Sequence, residues 1–238
     1  MDLVSNTAAT VFVPVTCYTG DTETGVKVPA TAHTHDGFRA WAVSDDFPQG
    51  VRATFIAGEI LVDMSPEYFE SHNFLKTEIS AVIYGIVRQE KLGRFFSDGA
   101  LITNEAAALS CEPDATFVSH ESFRSGRCRL TEGVSRPNDS KELVGSPDWV
   151  VEIVSKSSVR KDKQLLRKAY FDAGVQEYWL IDALSDQVDF ELLTRDNAGF
   201  VAIEPQDGWL TSTVFSRAFR LTQRRDAAGY VEWSLEVK

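Results

Sequence analysis

The sequence predicts an α/β fold with a β-rich tail, and three stretches carry that prediction. Asp148 to Asp182 alternates strand, helix and strand; Pro66 to about Gln89 repeats apolar residues at helical spacing; and the chain after Asp182 is a succession of short apolar runs separated by turn residues. With 238 residues, it is long enough for one large domain or one core with appendages.

The first stretch opens with Trp149-Val150-Val151-Glu152-Ile153-Val154, an apolar run of the kind buried on both faces of an α/β sheet. Glu152 sits in its middle, where a carboxylate is expensive to desolvate unless something pairs with it. Ser155 to Ser158 supplies cap residues, and Leu165, Leu166, Ala169, Tyr170 and Ala173 mark one side of a helix that Gly174 ends. A second buried strand follows, Glu177 to Asp182. Strand, helix and strand make a crossover joining parallel strands, and open α/β sheets keep their sites where such a first strand ends.

In chain order, residues 1 to about 30 read as an extended arm or short strand. His33 and His35 have a metal-ligand spacing but no third ligand near them, and Asp36 to Ser44 reads as a short helix. Arg52 to Asp63 reads as two strands turning at Ala57-Gly58, with Glu59 opening the second. Ser65-Pro66-Glu67 reads as a helix start. The helix would bury Phe69, Leu75, Ile79, Val82, Ile83, Ile86 and Val87 and carry His72 in its second turn. Arg94 to Thr103 reads as one strand with an irregularity at Asp98-Gly99. Pro113-Asp114 leads into the apolar strand Ala115 to Val118, and residues 119 to 147 read as a long polar loop. Gln187 to Leu193, Phe200 to Ile203, Thr211 to Phe215 and Tyr230 to Val237 read as the strands of the tail.

Composition narrows the class. A hydrophobic content of 43% and a charged content of 25% are those of an ordinary globular protein. A net charge of -11 argues against a wholly basic nucleic-acid-coating protein, yet Lys156, Arg160, Lys161, Lys163, Arg167 and Lys168 are opposed within their run only by Asp162. A solvated helix face is the plain reading of that run. No apolar run approaches the roughly 20 residues of a membrane span. The N-terminus lacks the basic start and apolar block of a signal peptide, and Cys17, Cys111 and Cys128 give neither a disulfide framework nor a zinc pattern. A reduced, cytoplasmic setting is the expectation.

Asp114 and Glu152 stand on expected neighbouring strands, with Glu59 ahead of the long helix and basic residues after Glu152. Carboxylates gathered inside a sheet repel one another unless protons or a cation balance them. A hard divalent cation such as Mg²⁺ suits oxygen ligands of this kind. Such a cation also makes water a usable nucleophile and offsets charge on a phosphate under in-line attack. A nearby lysine would add to that, and the surrounding basic residues would hold a nucleic-acid backbone.

Pro113-Asp114, Glu152 in its apolar strand and a lysine nearby together resemble the PD-(D/E)XK nuclease superfamily. The fuller pattern is similar to the Uma-type putative restriction endonuclease family. Its pieces are Gly58-Glu59, Met64-Ser65-Pro66, His72, Pro113-Asp114, Pro147 to Glu152, Ser155, Lys161-Asp162, Tyr170, Gly174-Val175 and Glu177-Tyr178-Trp179. The resemblance implies a restriction-endonuclease-like core, a mixed central sheet flanked by helices, over residues 36 to 190. An arm over residues 1 to 35 would precede it, and a β-rich extension over residues 191 to 238 would pack on it. It also implies cleavage of DNA dependent on Mg²⁺ or Mn²⁺, with Asp114, Glu152 and Glu59 as metal ligands and His72 as an accessory group. A homodimer is implied by resemblance alone. One position departs from the superfamily pattern. Two residues after Glu152, where a lysine is expected, stands Val154. Lys161 is the first candidate to reach back in its place, followed by Lys156 and Lys168. A retired nuclease fold that binds nucleic acid or protein is the alternative, and a metal-free carboxylate pair acting on glycosides is a distant third.

Overall fold

The computed structural model describes residues 15–17, 26–132 and 139–238. In chain order the first elements are β1 (Val15–Cys17), α1 (His35–Ala42), β2 (Arg52–Ile56), β3 (Glu59–Asp63), α2 (Phe74–Glu90), β4 (Gly93–Ser97) and β5 (Leu101–Asn104). The middle of the chain forms β6 (Leu109–Cys111), β7 (Ala115–Ser119), α3 (His120–Arg124), β8 (Cys128–Glu132), β9 (Ser140–Gly145) and β10 (Trp149–Val154). The last are α4 (Arg167–Asp172), β11 (Glu177–Asp182), β12 (Asp189–Arg195), β13 (Phe200–Ala202), β14 (Leu210–Ser212), β15 (Arg217–Arg225) and β16 (Val231–Val237).

These strands form a seven-stranded sheet in the order β1-β3-β2-β6-β5-β9-β8, a six-stranded sheet β13-β12-β11-β10-β7-β4 and a three-stranded sheet β14-β15-β16. Both larger sheets are mixed: β10 and β11 run parallel in register from Trp149↔Glu177 to Val154↔Asp182, while β10 and β7 run antiparallel. The crossover expected from the sequence is thus present, and Gly174 takes a φ of 83° just past its helix, a conformation that favours glycine.

Three cores hold the layers together. Phe38 and Trp41 of α1 pack on the outer face of the seven-stranded sheet, against Ala53, Phe55, Ile60 and Val62. The two larger sheets face each other across Leu61, Ile102, Cys111, Val150, Val154, Tyr170 and Tyr178. On the far face of the six-stranded sheet lie α2 and the three-stranded sheet, through Leu75, Ile79, Ile83 and Val87 and through Phe219, Trp233 and Leu235. Each such aliphatic side chain, once buried, contributes roughly 1.5–3 kcal/mol against solvent.

Four expectations are corrected. First, Ser65-Pro66-Glu67 starts no helix. The Ser65 amide and hydroxyl both donate to Asp63 Oδ1, at 2.8 and 2.6 Å. The helix begins instead with a π-helical turn, Phe69–Asn73. A wider turn shifts the register, so Phe69 falls off the buried stripe and is 68% exposed. Second, Arg94 to Thr103 is not one strand: Gly99, at φ 80°, breaks it, and β4 and β5 go to different sheets. Third, the expected loop from 119 to 147 contains α3, β8 and β9; residues 133–138 lie outside the described residues. Fourth, the tail holds the nine-residue strand β15, which the sequence reading missed, at the centre of its sheet. In addition, β12 runs across residue 190 as the antiparallel neighbour of β11. Of the expected N-terminal arm, β1 pairs parallel with β3, and residues 1–14 and 18–25 lie outside the described residues.

Candidate active site

Two strand ends and two π-helical turns meet at one cleft of about 50 Å³, enough for a few water-sized groups. Asp114 precedes β7, and Glu152 lies in β10. The turn Phe69–Asn73 brings His72, and a second π-helical turn, Lys161–Leu166, brings Lys161 and Asp162. Such turns widen a helix locally and recur at functional sites.

Asp114 is buried, and its Oδ2 accepts the Ile153 amide at 2.7 Å, which fixes it beside β10. His72 Nε2 lies 3.6 Å from the same oxygen and His72 Nδ1 lies 3.4 Å from Glu67 Oε2. Glu152 is buried too. The Tyr170 hydroxyl donates to its Oε1 at 2.5 Å and Lys161 Nζ lies 3.6 Å from its Oε2. Burial pushes the Glu152 carboxyl up to about 8; Lys161 works against that rise, whereas Asp162 and Asp114 add to it.

Lys161 Nζ lies 2.9 Å from Asp162 Oδ1. Burial alone would lower the lysine, but Asp162 and Glu152 outweigh it and hold the ammonium protonated above its ordinary range. Asp162 is 1% exposed; its Oδ1 meets the Lys161 ammonium, and its Oδ2 has no hydrogen-bond partner among the described residues. Burial shifts it upward. Glu152 and Asp162 therefore share the Lys161 ammonium in a desolvated corner, and Asp114 has the Lys76 ammonium 3.8 Å from its Oδ1. The carboxylates there outnumber the ammonium groups.

Lys76, one turn beyond His72, extends the network. Its Nζ lies 2.6 Å from Glu67 Oε1, 2.9 Å from Asp98 Oδ2 and 3.8 Å from Asp114 Oδ1. Burial would raise Glu67, but hydrogen bonds from Lys76 and Arg52 hold it down at about 2. Glu112 lines the same cleft, shifted upward by burial and by Asp98.

The structure thus brings Asp114, Glu152, Lys161 and His72 together. Glu59 is not among the residues lining the cleft; it stands at the start of β3 and pairs with Arg160 at 3.1 Å. The carboxylate that β3 supplies to the cleft wall is Asp63, at its other end, whose Oδ2 accepts from the Ser157 hydroxyl at 3.1 Å. Val154 shares the face of Glu152 and packs in the core between the sheets, while Lys161 arrives from the helix. Lys156 lies near Tyr68 and Lys168 pairs with Asp172 at 2.5 Å, so neither is the lysine beside Glu152. His33 and His35 diverge: His33 bonds the Ala30 carbonyl, while His35 Nε2 lies 2.9 Å from Ser110 Oγ. Asp162, Lys76 and Glu67 were missed as site residues. Two signals were legible: Asp162 stands in the Lys161-Asp162 piece of the sequence pattern, and Lys76 follows His72 by four residues, a spacing that puts both on one helix face.

Residues 36–224 match the model of the Uma2 family, described as a putative restriction endonuclease. The chain belongs to that family. Among solved structures, the fold is similar to that of a protein described as a putative nuclease belonging to DUF820, from Anabaena variabilis. The TM-score is 0.56 at 19% identity, covering 77% of this chain and 90% of that one. At that identity the likeness establishes the fold, a restriction-endonuclease-like core of mixed sheets flanked by helices. No curated protein matches the chain. Among the described residues no helix is long and apolar enough to cross a membrane.

Proposed function

We propose that this Uma2-family protein is a nuclease that hydrolyses phosphodiester bonds in DNA with the help of a divalent cation, Mg²⁺ or Mn²⁺. The observation that carries the reading is the buried set of Asp114, Glu152 and Asp162, with the Lys161 ammonium beside the last two. Among the described residues, no three His, Cys, Asp or Glu side chains form a ready metal site. Mg²⁺ needs no such cage, because it keeps several waters and takes one or two carboxylates. The donor chemistry therefore fits: hard oxygens, carboxylates that outnumber the ammonium groups beside them, a buried Asp162 Oδ2 without a hydrogen bond, and room for a few waters.

Asp114 and Glu152 would hold the cation. Bound there, it would offset negative charge gathering on a phosphate under attack. Asp114 stays aimed at the cleft through the Ile153 amide, and Tyr170 fixes Glu152 through its Oε1. Lys161 keeps its proton, so it acts as a fixed positive charge toward the phosphate and not as a base. His72 lies close enough to Asp114 to position it. Glu59, by contrast, would serve as the Arg160 ion pair.

The test is cleavage of single- and double-stranded DNA with Mg²⁺, Mn²⁺ or EDTA, with Glu152→Ala prepared in parallel. Cleavage that needs the cation and vanishes in the folded variant is expected. A wild type that binds DNA but never cuts it, and takes up no Mg²⁺ by calorimetry, would mark a retired binding module and sink the reading.

A further inference from the structure

A second recess opens beside the cleft. It is larger, about 320 Å³, and Arg52, Asp63, His72, Ser155 and Ser157 line both. Its own wall adds Ser65, Glu67, Tyr68 and Lys156. Two loops meet there, bridged by the Ser65 and Ser157 hydroxyls at 3.1 Å.

The charges of this wall are largely answered. Asp63 accepts from Ser65 and Ser157, and Glu67 is held by Lys76 and Arg52. An aromatic ring and an ammonium remain to meet a ligand. Tyr68 is 54% exposed, although Lys156 Nζ lies 5.2 Å from its ring centroid. Its backbone is fixed, because the Tyr68 carbonyl accepts the Asn73 amide at 3.0 Å as the π-helical turn begins. A ring on a fixed backbone, with an ammonium over one face, offers its other face to a base and the ammonium to a phosphate, which matches a nucleotide. In a duplex both faces of each base are already covered, so such a ring can stack only on a base that is unpaired.

Resting on the nuclease reading above, we propose that this recess binds an unpaired base of the DNA strand on Tyr68, with Lys156 on an adjacent phosphate. The protein then favours single-stranded DNA, or a locally opened strand, over a closed duplex.

The test is fluorescence anisotropy with a labelled single-stranded oligonucleotide and the matching duplex, with Ca²⁺ present in place of Mg²⁺. Wild type, Tyr68→Ala, Tyr68→Phe and Lys156→Ala are compared, each checked for wild-type circular dichroism. Tyr68→Ala should weaken single-strand binding by roughly 5- to 150-fold, the worth of one stacked base, and leave duplex binding unchanged. Tyr68→Phe should bind as wild type does, since the ring and not the hydroxyl carries the contact. Lys156→Ala should lower the slope of log affinity against log salt by roughly 0.7 for the single strand. Equal losses on both substrates, no loss on either, or a wild type that binds the single strand no better than the duplex would overturn the proposal. Cleavage assays on the same variants with Mg²⁺ separate the two readings. Selective binding without cutting removes the nuclease and keeps the recess. Single-strand cutting by Tyr68→Ala at the wild-type rate keeps the nuclease and removes the recess.

Discussion

Replacing Glu177 by glutamine tests whether a buried carboxylate fastens the tail to the core. Glu177 opens β11 and is fully buried. Its Oε1 accepts from Trp179 Nε1 and from the Ser212 hydroxyl, each at 2.7 Å. Its Oε2 accepts from the Thr213 amide at 3.0 Å, with the Thr213 hydroxyl at 3.3 Å and the Val214 amide at 3.4 Å. The indole and the two amides can only donate, so both oxygens must accept. An amide group keeps one oxygen and turns the other position into a donor facing donors, whichever way it flips. One buried donor left unpaired costs about 1–3 kcal/mol, so Glu177→Gln should destabilise by about 2 kcal/mol. At roughly 2–4 °C per kcal/mol for a chain of this size, Tm should fall by about 4–8 °C. Urea unfolding followed by tryptophan fluorescence measures the first quantity and calorimetry the second. Amide exchange at Thr213 and Val214 should quicken before the rest of the core. A change under about 0.5 kcal/mol would refute the reasoning, because a surface substitution does no more than that.

Lys161→Met should reduce the cleavage rate by about 100- to 1000-fold, the usual loss when one charge-stabilising donor is removed, measured as kcat on the preferred substrate. Tyr170→Phe removes the hydroxyl that holds Glu152 Oε1. Loss of such an outer partner should weaken Mg²⁺ binding by about 10- to 100-fold in a calorimetric titration. Glu67 sits at about 2 against an ordinary 4.5, so the stability it lends is complete above pH 4.5 and is lost as pH falls toward 2. After allowance for solvent screening this amounts to about 1–2 kcal/mol, and Glu67→Gln should flatten the denaturation profile across that window.

Much of the architecture was legible because some elements state themselves locally. The strands Arg52–Ile56, Glu59–Asp63, Trp149–Val154 and Glu177–Asp182 fall where their apolar runs begin and end. Asp114 and Glu152 were legible for the same reason, since Asp114 directly precedes the apolar run of β7 and Glu152 lies within that of β10, whereas Lys161 stands at the start of the helical segment that follows. What escaped depends on distant partners. β8 and β15 are rich in charged and polar residues, so their strand character comes from pairing with β9 and with β14 and β16. The helix start was misplaced because Ser65 caps Asp63 instead of a helix, and Glu67 serves Lys76 and Arg52. The sequence of a π-helical turn resembles that of an α-helical one, so nothing local announced that Phe69 would face solvent.

The cleft gathers Asp63, His72, Asp114, Glu152 and Lys161 from five separate stretches of chain and from both large sheets. Loop closures this long come late, after the local helices and hairpins that make them possible. A chain still emerging from synthesis has no cleft until Lys161 and Asp162 have appeared and the crossover has closed on β11. A partly opened chain likewise loses the charge cluster as soon as the sheets part, because no single sheet holds all of it. On the nuclease reading proposed above, the topology acts as a safeguard: a nascent or truncated copy lacks part of the charge cluster, and the chemistry belongs only to the finished fold.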